Sequence, residues 1–385
     1  VDLLCDPVSA WAERSVPSVL MQLGSDHRTD QAQDARSVPT APSPGPVESD
    51  PVTTDPGRPE IEVLRRDPLP RRLAVRWRRA GTAEGRTSEW HPFRAALLVA
   101  AVAALTWWLP GAAVFLGILI ALILVHEIGH LVVARRCGMR PTEYFLGFGP
   151  TVWSRTSRSG LRYGVKAVIL GGYVKIPGMG PSEEVEASLE PYTYRAATRP
   201  RRLAVILAGV GVNFLVALLL FWGYGMWAPG TNVDAVQAAT RSGELMWEVS
   251  SDTVVSLGDL VTGAADYGRS VADGEVPEQR MVSAVGGAQI TDGLLDEHPT
   301  RLLLLAGLFS TSIAVFNLLP LLPLDGGHAA IVVTEGAIAT ARRRPRYRLD
   351  PNRFRVAAAV VVVALLALGA TSMYIDVLHP LSASG

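Results

Sequence analysis

The chain has 385 residues, 49% hydrophobic and 19% charged, and its 36 basic and 36 acidic side chains cancel. This net charge points to no polyanionic partner such as nucleic acid, and two cysteines, Cys5 and Cys137, without C-x-x-C spacing exclude a disulfide scaffold. Mean hydropathy is +0.24, so the choice lies between a large soluble globule and a membrane protein.

Residues 1–92 hold 12 of the 27 prolines, with runs such as Pro39–Pro46 that cannot bury enough apolar surface to offset ordering entropy. This segment reads as a disordered tail, Arg-rich over 65–79. Its first 23 residues include Asp2, Asp6 and Glu13 and do not read as a signal peptide.

Between Arg94 and Arg135 lie 40 residues whose only ionisable members are His126, Glu127 and His130. One crossing needs about 20 residues, so two fit, with Pro110-Gly111 at the turn. The first is an extra span over 93–110. Leu203–Trp227, Leu302–Leu324 and Val356–Tyr374 are further apolar runs long enough to cross. The loops agree: residues 135–202 carry twelve Arg or Lys and 342–355 seven Arg, whereas 228–297 carry twelve acidic against three basic residues. Basic loops stay in the cytoplasm. The expectation is an α-helical polytopic membrane protein with about five transmembrane helices, N-terminus inside and C-terminus outside.

The second span contains His126-Glu127-Ile-Gly-His130. Residues at i and i+4 share a helix face, so His126 and His130 can aim at one metal while Glu127 reaches a water as general base. A carboxylate inside an apolar span costs at least ~2.5–3.5 kcal/mol unless compensated, and a divalent metal compensates it. Zinc wants a third protein ligand. The strongest candidate is Asp325, in Asn317-Leu-Leu-Pro320-Leu-Leu-Pro-Leu-Asp325-Gly-Gly-His328, where prolines and glycines break regular helix. Such backbone is tolerated in a bilayer only where protein buries it or a cavity takes it. Glu335 is the competing acid, and His328 reads either as a ligand or as a supporting group.

At these residues the chain resembles the site-2 protease family of intramembrane zinc metalloproteases, peptidase family M50. That family pairs HExxH on one span with N-x-x-P…L-D-G on a later one. Tyr144–Pro150, Tyr163–Lys166 and Gly171-Gly-Tyr-Val-Lys175 look like the family's membrane-associated β-hairpin near the active site. The alternation over Tyr163–Ile169 and a Gly171-Gly172 turn allow such a hairpin. Gly209-Val-Gly-Val-Asn213 resembles the family's G-x-x-x-N element, with Val210 where a Pro is frequent.

The resemblance covers residues 112–375. It implies a core in two halves, 112–227 and 298–376, around one Zn2+ held by His126, His130 and Asp325. It implies Glu127 as base, Asn213 as stabiliser of the tetrahedral intermediate, and Asn317, Pro320, Gly171 and Gly172 as substrate-binding residues. The outside loop, 228–297, has no PDZ-like carboxylate-binding turn and reads as a connector with one or two short amphipathic helices over Trp247–Asp273.

The function implied is intramembrane proteolysis of single-span membrane proteins already trimmed by another protease, such as anti-sigma factors or signal-peptide remnants, in a bacterial plasma membrane. The rivals are a catalytically silent membrane-binding homologue and a zinc-binding transport protein. Transporters usually show internal repeats and charges across several spans, and neither is present.

Overall fold

The computed structural model describes residues 88–180, 183–228, 233–272, 282–297, 299–343, 347–349 and 351–380. The expected disordered tail lies outside these residues, except for its last five. There Ser88–Trp90 form a strand, β1, and Pro92 opens helix α1, Pro92–Trp108. Pro110 then starts α2, Pro110–Arg136, because its ring removes a helix N–H and suits a first turn.

Among the described residues, four helices are long and apolar enough to cross a membrane: α2; α3, Arg199–Trp227; α7, Arg301–Leu318; and α9, Arg355–Leu378. The fifth expected span, α1, has 17 residues and none of them is buried. At ~1.5 Å per residue it falls short of a hydrocarbon core about 30 Å thick.

The run Leu302–Leu324 is not one helix. Helix α7 ends at Leu318, six residues turn, and α8, Asp325–Ala341, begins at the acid. Gly326 permits this joint, since a methyl there would fall 2.3 Å from the carbonyl oxygens of Leu318 and Leu319.

Helices α2, α3 and α7 form the centre. The buried residues Phe115, Leu122, His126 and Gly129 of α2 are spaced by seven, four and three positions, with His130 four after His126, and so line one face. Helix α3 buries Arg202, Val205, Gly209, Asn213 and Ala217 in a similar stripe. Below the site, Ala134, Met139, Ile176, Tyr194, Val205, Ile206 and Val332 pack into a core. Large apolar side chains left exposed, among them Leu97, Val99, Leu215, Leu219, Val360 and Leu366, clad the outside as a lipid-facing surface would.

The strands β2, Glu143–Thr156, and β3, Arg162–Lys175, reverse at Ser157–Leu161, closed by Ser157 N to Leu161 O at 2.8 Å. The turn is therefore not at Gly171-Gly172, which lie within β3. Ser157-Arg-Ser-Gly160 supplies both a hydroxyl and a glycine for the reversal. Each strand is bent into two arms. Glu143–Leu146 run antiparallel to Gly172–Lys175 on one side and parallel to Arg162–Val165 on the other. Arg162–Val165 in turn pair antiparallel with Trp153–Thr156, and β1 pairs antiparallel with Trp153–Arg155.

The 228–297 segment is largely helical and packs on the bundle. Asp234 caps Val236 and Gln237 and starts α4, Ala235–Thr262, one continuous helix where short ones are expected. Leu245 and Met246 of α4 pack against Ala217, Phe221 and Leu304. Two further helices follow, α5 (Ala264–Ala272) and α6 (Ala284–Glu297). Helix α6 docks on α2, where Asp292 accepts from the Gly111 amide at 3.1 Å. It also holds the end of α9 through Ser283 N to Asp376 Oδ2 at 2.8 Å. No strand occurs among the described residues of this segment.

Candidate metal centre

His126 and His130 are one turn apart on α2, and Asp325 enters from the first residue of α8. His126 Nε2 lies 3.1 Å from Asp325 Oδ2, His130 Nε2 lies 3.2 Å from the same oxygen, and the two Nε2 atoms are 3.1 Å apart. Among the described residues these form the group of metal-competent side chains. Tetrahedral donors about 2.0–2.1 Å from zinc would stand roughly 3.3 Å from one another, so the triangle fits that ion.

The ring of His130 is oriented from behind. Its Nδ1 lies 2.7 Å from the carbonyl oxygen of Val205, which can only accept. Nδ1 therefore carries the proton, and Nε2 presents its lone pair to the centre of the triangle. The opposite wall is Gly209. A methyl there would fall 2.5 Å from His130 Nε2 and 2.6 Å from His126 Nε2, so α3 can approach the donors only with a bare backbone.

Glu127, next to His126 on α2, also reaches β3. Its Cγ lies 3.6 Å from where a Cβ on Gly172 would sit, and the Val174 amide donates to its carboxylate. The arm Gly172–Lys175 thus passes the acid with its outer edge unpaired by any described strand. Across the sheet, Tyr173 stacks on Phe145 and Phe148, and its hydroxyl donates to Glu143 at 2.7 Å. Burial and that bond push the hydroxyl well above the ordinary tyrosine range. Tyr144 donates to the Leu124 carbonyl at 3.3 Å and ties the sheet to the metal helix.

Asn213 is one turn beyond Gly209 on the same stripe of α3, fully buried, and both amide atoms lack a partner. Its backbone carbonyl accepts from Ser310 of α7 at 2.8 Å. Asn317 stands at the last turn of α7 with its amide donating to Ile313 O at 3.0 Å, and Pro320 is exposed in the joint that follows. Gly171 and Gly172 are strand residues. Of the alternatives, His328 is not part of the donor group. Glu335 is buried at the far end of α8 in ion pairs with Arg202 and Arg348. The partners of Glu335 and the carbonyl of Val205 carry no motif; an arginine at the start of an apolar run was their only trace in the sequence.

The profile of Peptidase family M50 matches residues 114–368, more than half of the chain. The zinc metalloprotease Rip1 of Mycobacterium tuberculosis (strain ATCC 25618 / H37Rv) is 47% identical over 112 residues, 29% of this chain and 27% of the relative. Rip1 of Mycolicibacterium smegmatis is 31% identical over 212 residues, 48% of this chain and 52% of the relative. The regulator of sigma-E protease RseP of Salmonella typhimurium (strain 14028s / SGSC 2262) is 31% identical over 189 residues, 48% of this chain and 39% of the relative. The matches thus span about a quarter to a half of these relatives' own length.

Proposed function

The chain belongs to peptidase family M50, and from that premise we propose that it is a zinc-dependent endopeptidase cutting the transmembrane segments of other proteins. The observation that carries this reading is the convergence of His126, His130 and Asp325 inside an apolar bundle with Glu127 beside them. Zinc bound there supplies a Lewis acid that polarises the scissile carbonyl and acidifies water. His126 and His130 offer ring nitrogens from one helix face, and Asp325 offers a carboxylate from a second helix. Glu127 takes the proton of the attacking water and returns it to the leaving amine. Asn213, with an unpartnered buried amide, donates to the oxygen on which charge develops.

A helical substrate hides its backbone in its own hydrogen bonds, so it must unwind before it is cut. The free edge Gly172–Lys175 beside Glu127 offers it backbone partners by strand addition, with Gly171 leading into that arm and Asn317 and Pro320 bounding the site from the α7–α8 joint. Proline scanning from Val165 to Lys175 that left cleavage unchanged would remove this step.

The substrates are single-span membrane proteins previously trimmed by another protease, such as anti-sigma factors or signal-peptide remnants. Two of the similar proteins are named for sigma-E regulation and zinc proteolysis, which favours the anti-sigma class. Charge distribution favours the basic 135–202 and 342–355 segments in the cytoplasm and the acidic 228–297 segment and C-terminus outside; an N-terminus on the cytoplasmic side then requires the short α1 to carry the chain across as a fifth span. His126 lies nine residues before Arg135, about 13 Å along a helix, so water reaches the site from the cytoplasmic side.

The deciding experiment compares peptide N-termini in membranes from cells carrying the wild type or Glu127→Ala. Termini inside apolar segments that vanish with the variant are the expected result. Identical termini, with both proteins present and zinc-loaded, would sink the reading.

A further inference from the structure

The metal donors come from two helices, and apolar packing fixes how far one helix slides along another less sharply than a charged hydrogen bond does. Helix α2 is referenced to α3 by the bond from His130 Nδ1 to Val205 O. Helix α8, which carries Asp325, needs its own reference. Glu335 stands ten residues after Asp325, ~15 Å along the helix, with 1% of its side chain exposed. Its Oε2 accepts from Arg202 Nη1 at 2.6 Å. Arg202 is one turn before Val205 on the same buried stripe of α3.

A single turn of α3 therefore holds both donor helices: Val205 grips the histidine and Arg202 grips the helix of the aspartate. The grip is braced further. Arg202 lies over the Tyr194 ring at 4.6 Å, and Glu335 also accepts from Arg348 Nη1 at 3.2 Å and from the Leu349 amide at 3.1 Å. A charge-assisted pair of this length tolerates little sliding, unlike the apolar contacts around it.

We propose that the Arg202–Glu335 pair is a positioning device for the metal site, setting the axial register of α8 so that Asp325 meets His126 and His130. Neither residue touches the donors. The proposal rests on the reading that these three residues hold zinc.

The test measures zinc affinity of the full-length protein in detergent by chelator competition, alongside thermal stability. The variants are Glu335→Gln and Arg202→Lys, with Asp376→Ala as a control that removes a buried acceptor of the Ser283 amide at the other end of the bundle. Glu335→Gln should weaken zinc binding by about 10- to 100-fold, the range seen when groups supporting metal ligands are removed. Arg202→Lys, which keeps the charge but loses the planar fork, should fall between that variant and the wild type. Asp376→Ala should lower stability and leave zinc affinity within twofold. Glu335→Gln that loses stability but binds zinc as the wild type does would overturn the proposal. Should that variant not fold, Arg202→Lys decides on the same readout. A wild type that takes up no stoichiometric zinc, or a His126→Ala variant that takes it up equally, would instead defeat the underlying zinc reading.

Discussion

Nδ1 of His130 donates to the carbonyl oxygen of Val205 across 2.7 Å, so the ring that faces the metal is set by the backbone of a different helix. That bond survives only while α3 stays close to α2, and Gly209 is what lets it. Gly209→Ala should raise intrinsic helix propensity by up to ~1 kcal/mol and yet force the helices apart, because the methyl meets both Nε2 atoms. The expected outcome is a protein that stays folded and loses zinc, read by metal analysis of the purified protein beside its thermal midpoint.

Glu127 reaches the β3 arm and is not one of the three donors. Removing its carboxylate should therefore leave the zinc content unchanged. Glu127→Gln is expected to lower kcat by about 10²- to 10⁴-fold, the usual worth of a general acid–base. Zinc content and turnover of one membrane-embedded substrate, measured on the same sample, check both halves.

Asn213 is buried with its amide unpartnered, an arrangement that costs about 1–3 kcal/mol in a folded protein. Asn213→Leu, which keeps the branched skeleton and removes both polar atoms, should raise thermal stability while lowering kcat by ~10²-fold or more with KM little changed. A fall in stability with kcat intact would assign the side chain to packing instead.

Zinc held by His126, His130 and Asp325 would join α2 to α8, which would link its binding to folding. At a free concentration 100 times its Kd, zinc should add about 2.7 kcal/mol of stability. Thermal unfolding with and without chelator measures this, and His126→Ala should abolish the difference.

Much of the site was legible because its chemistry is local in sequence. The His126–His130 spacing dictates a shared face on any helix, and Pro320 to Gly327 announces broken backbone around Asp325. The four long spans followed from charge being absent, which a bilayer enforces. The rest depended on contacts between distant residues. A single charge-assisted pair ties Glu335 to Arg202, 133 positions apart, and no local pattern marks it. The bent arms of β2 and β3 arise because Glu143–Leu146 sit between two stretches of β3, which alternation of apolar residues does not encode. Helix α4 was underestimated because its polar residues hide a face that packs only against α3 and α7.

The strand β1 closes the far side of the sheet with three residues, braced by Glu89 to Arg162 at 2.6 Å and by Arg94 to the Thr151 carbonyl at 2.8 Å. A strand on the same chain competes with any visitor at an effective concentration on the order of millimolar. Foreign backbone is thereby steered from that side, and the very short edge β1 leaves is a poor template. For the proposed reaction this makes the sheet a one-lane track, in which a captured segment is admitted only along Gly172–Lys175, already alongside Glu127.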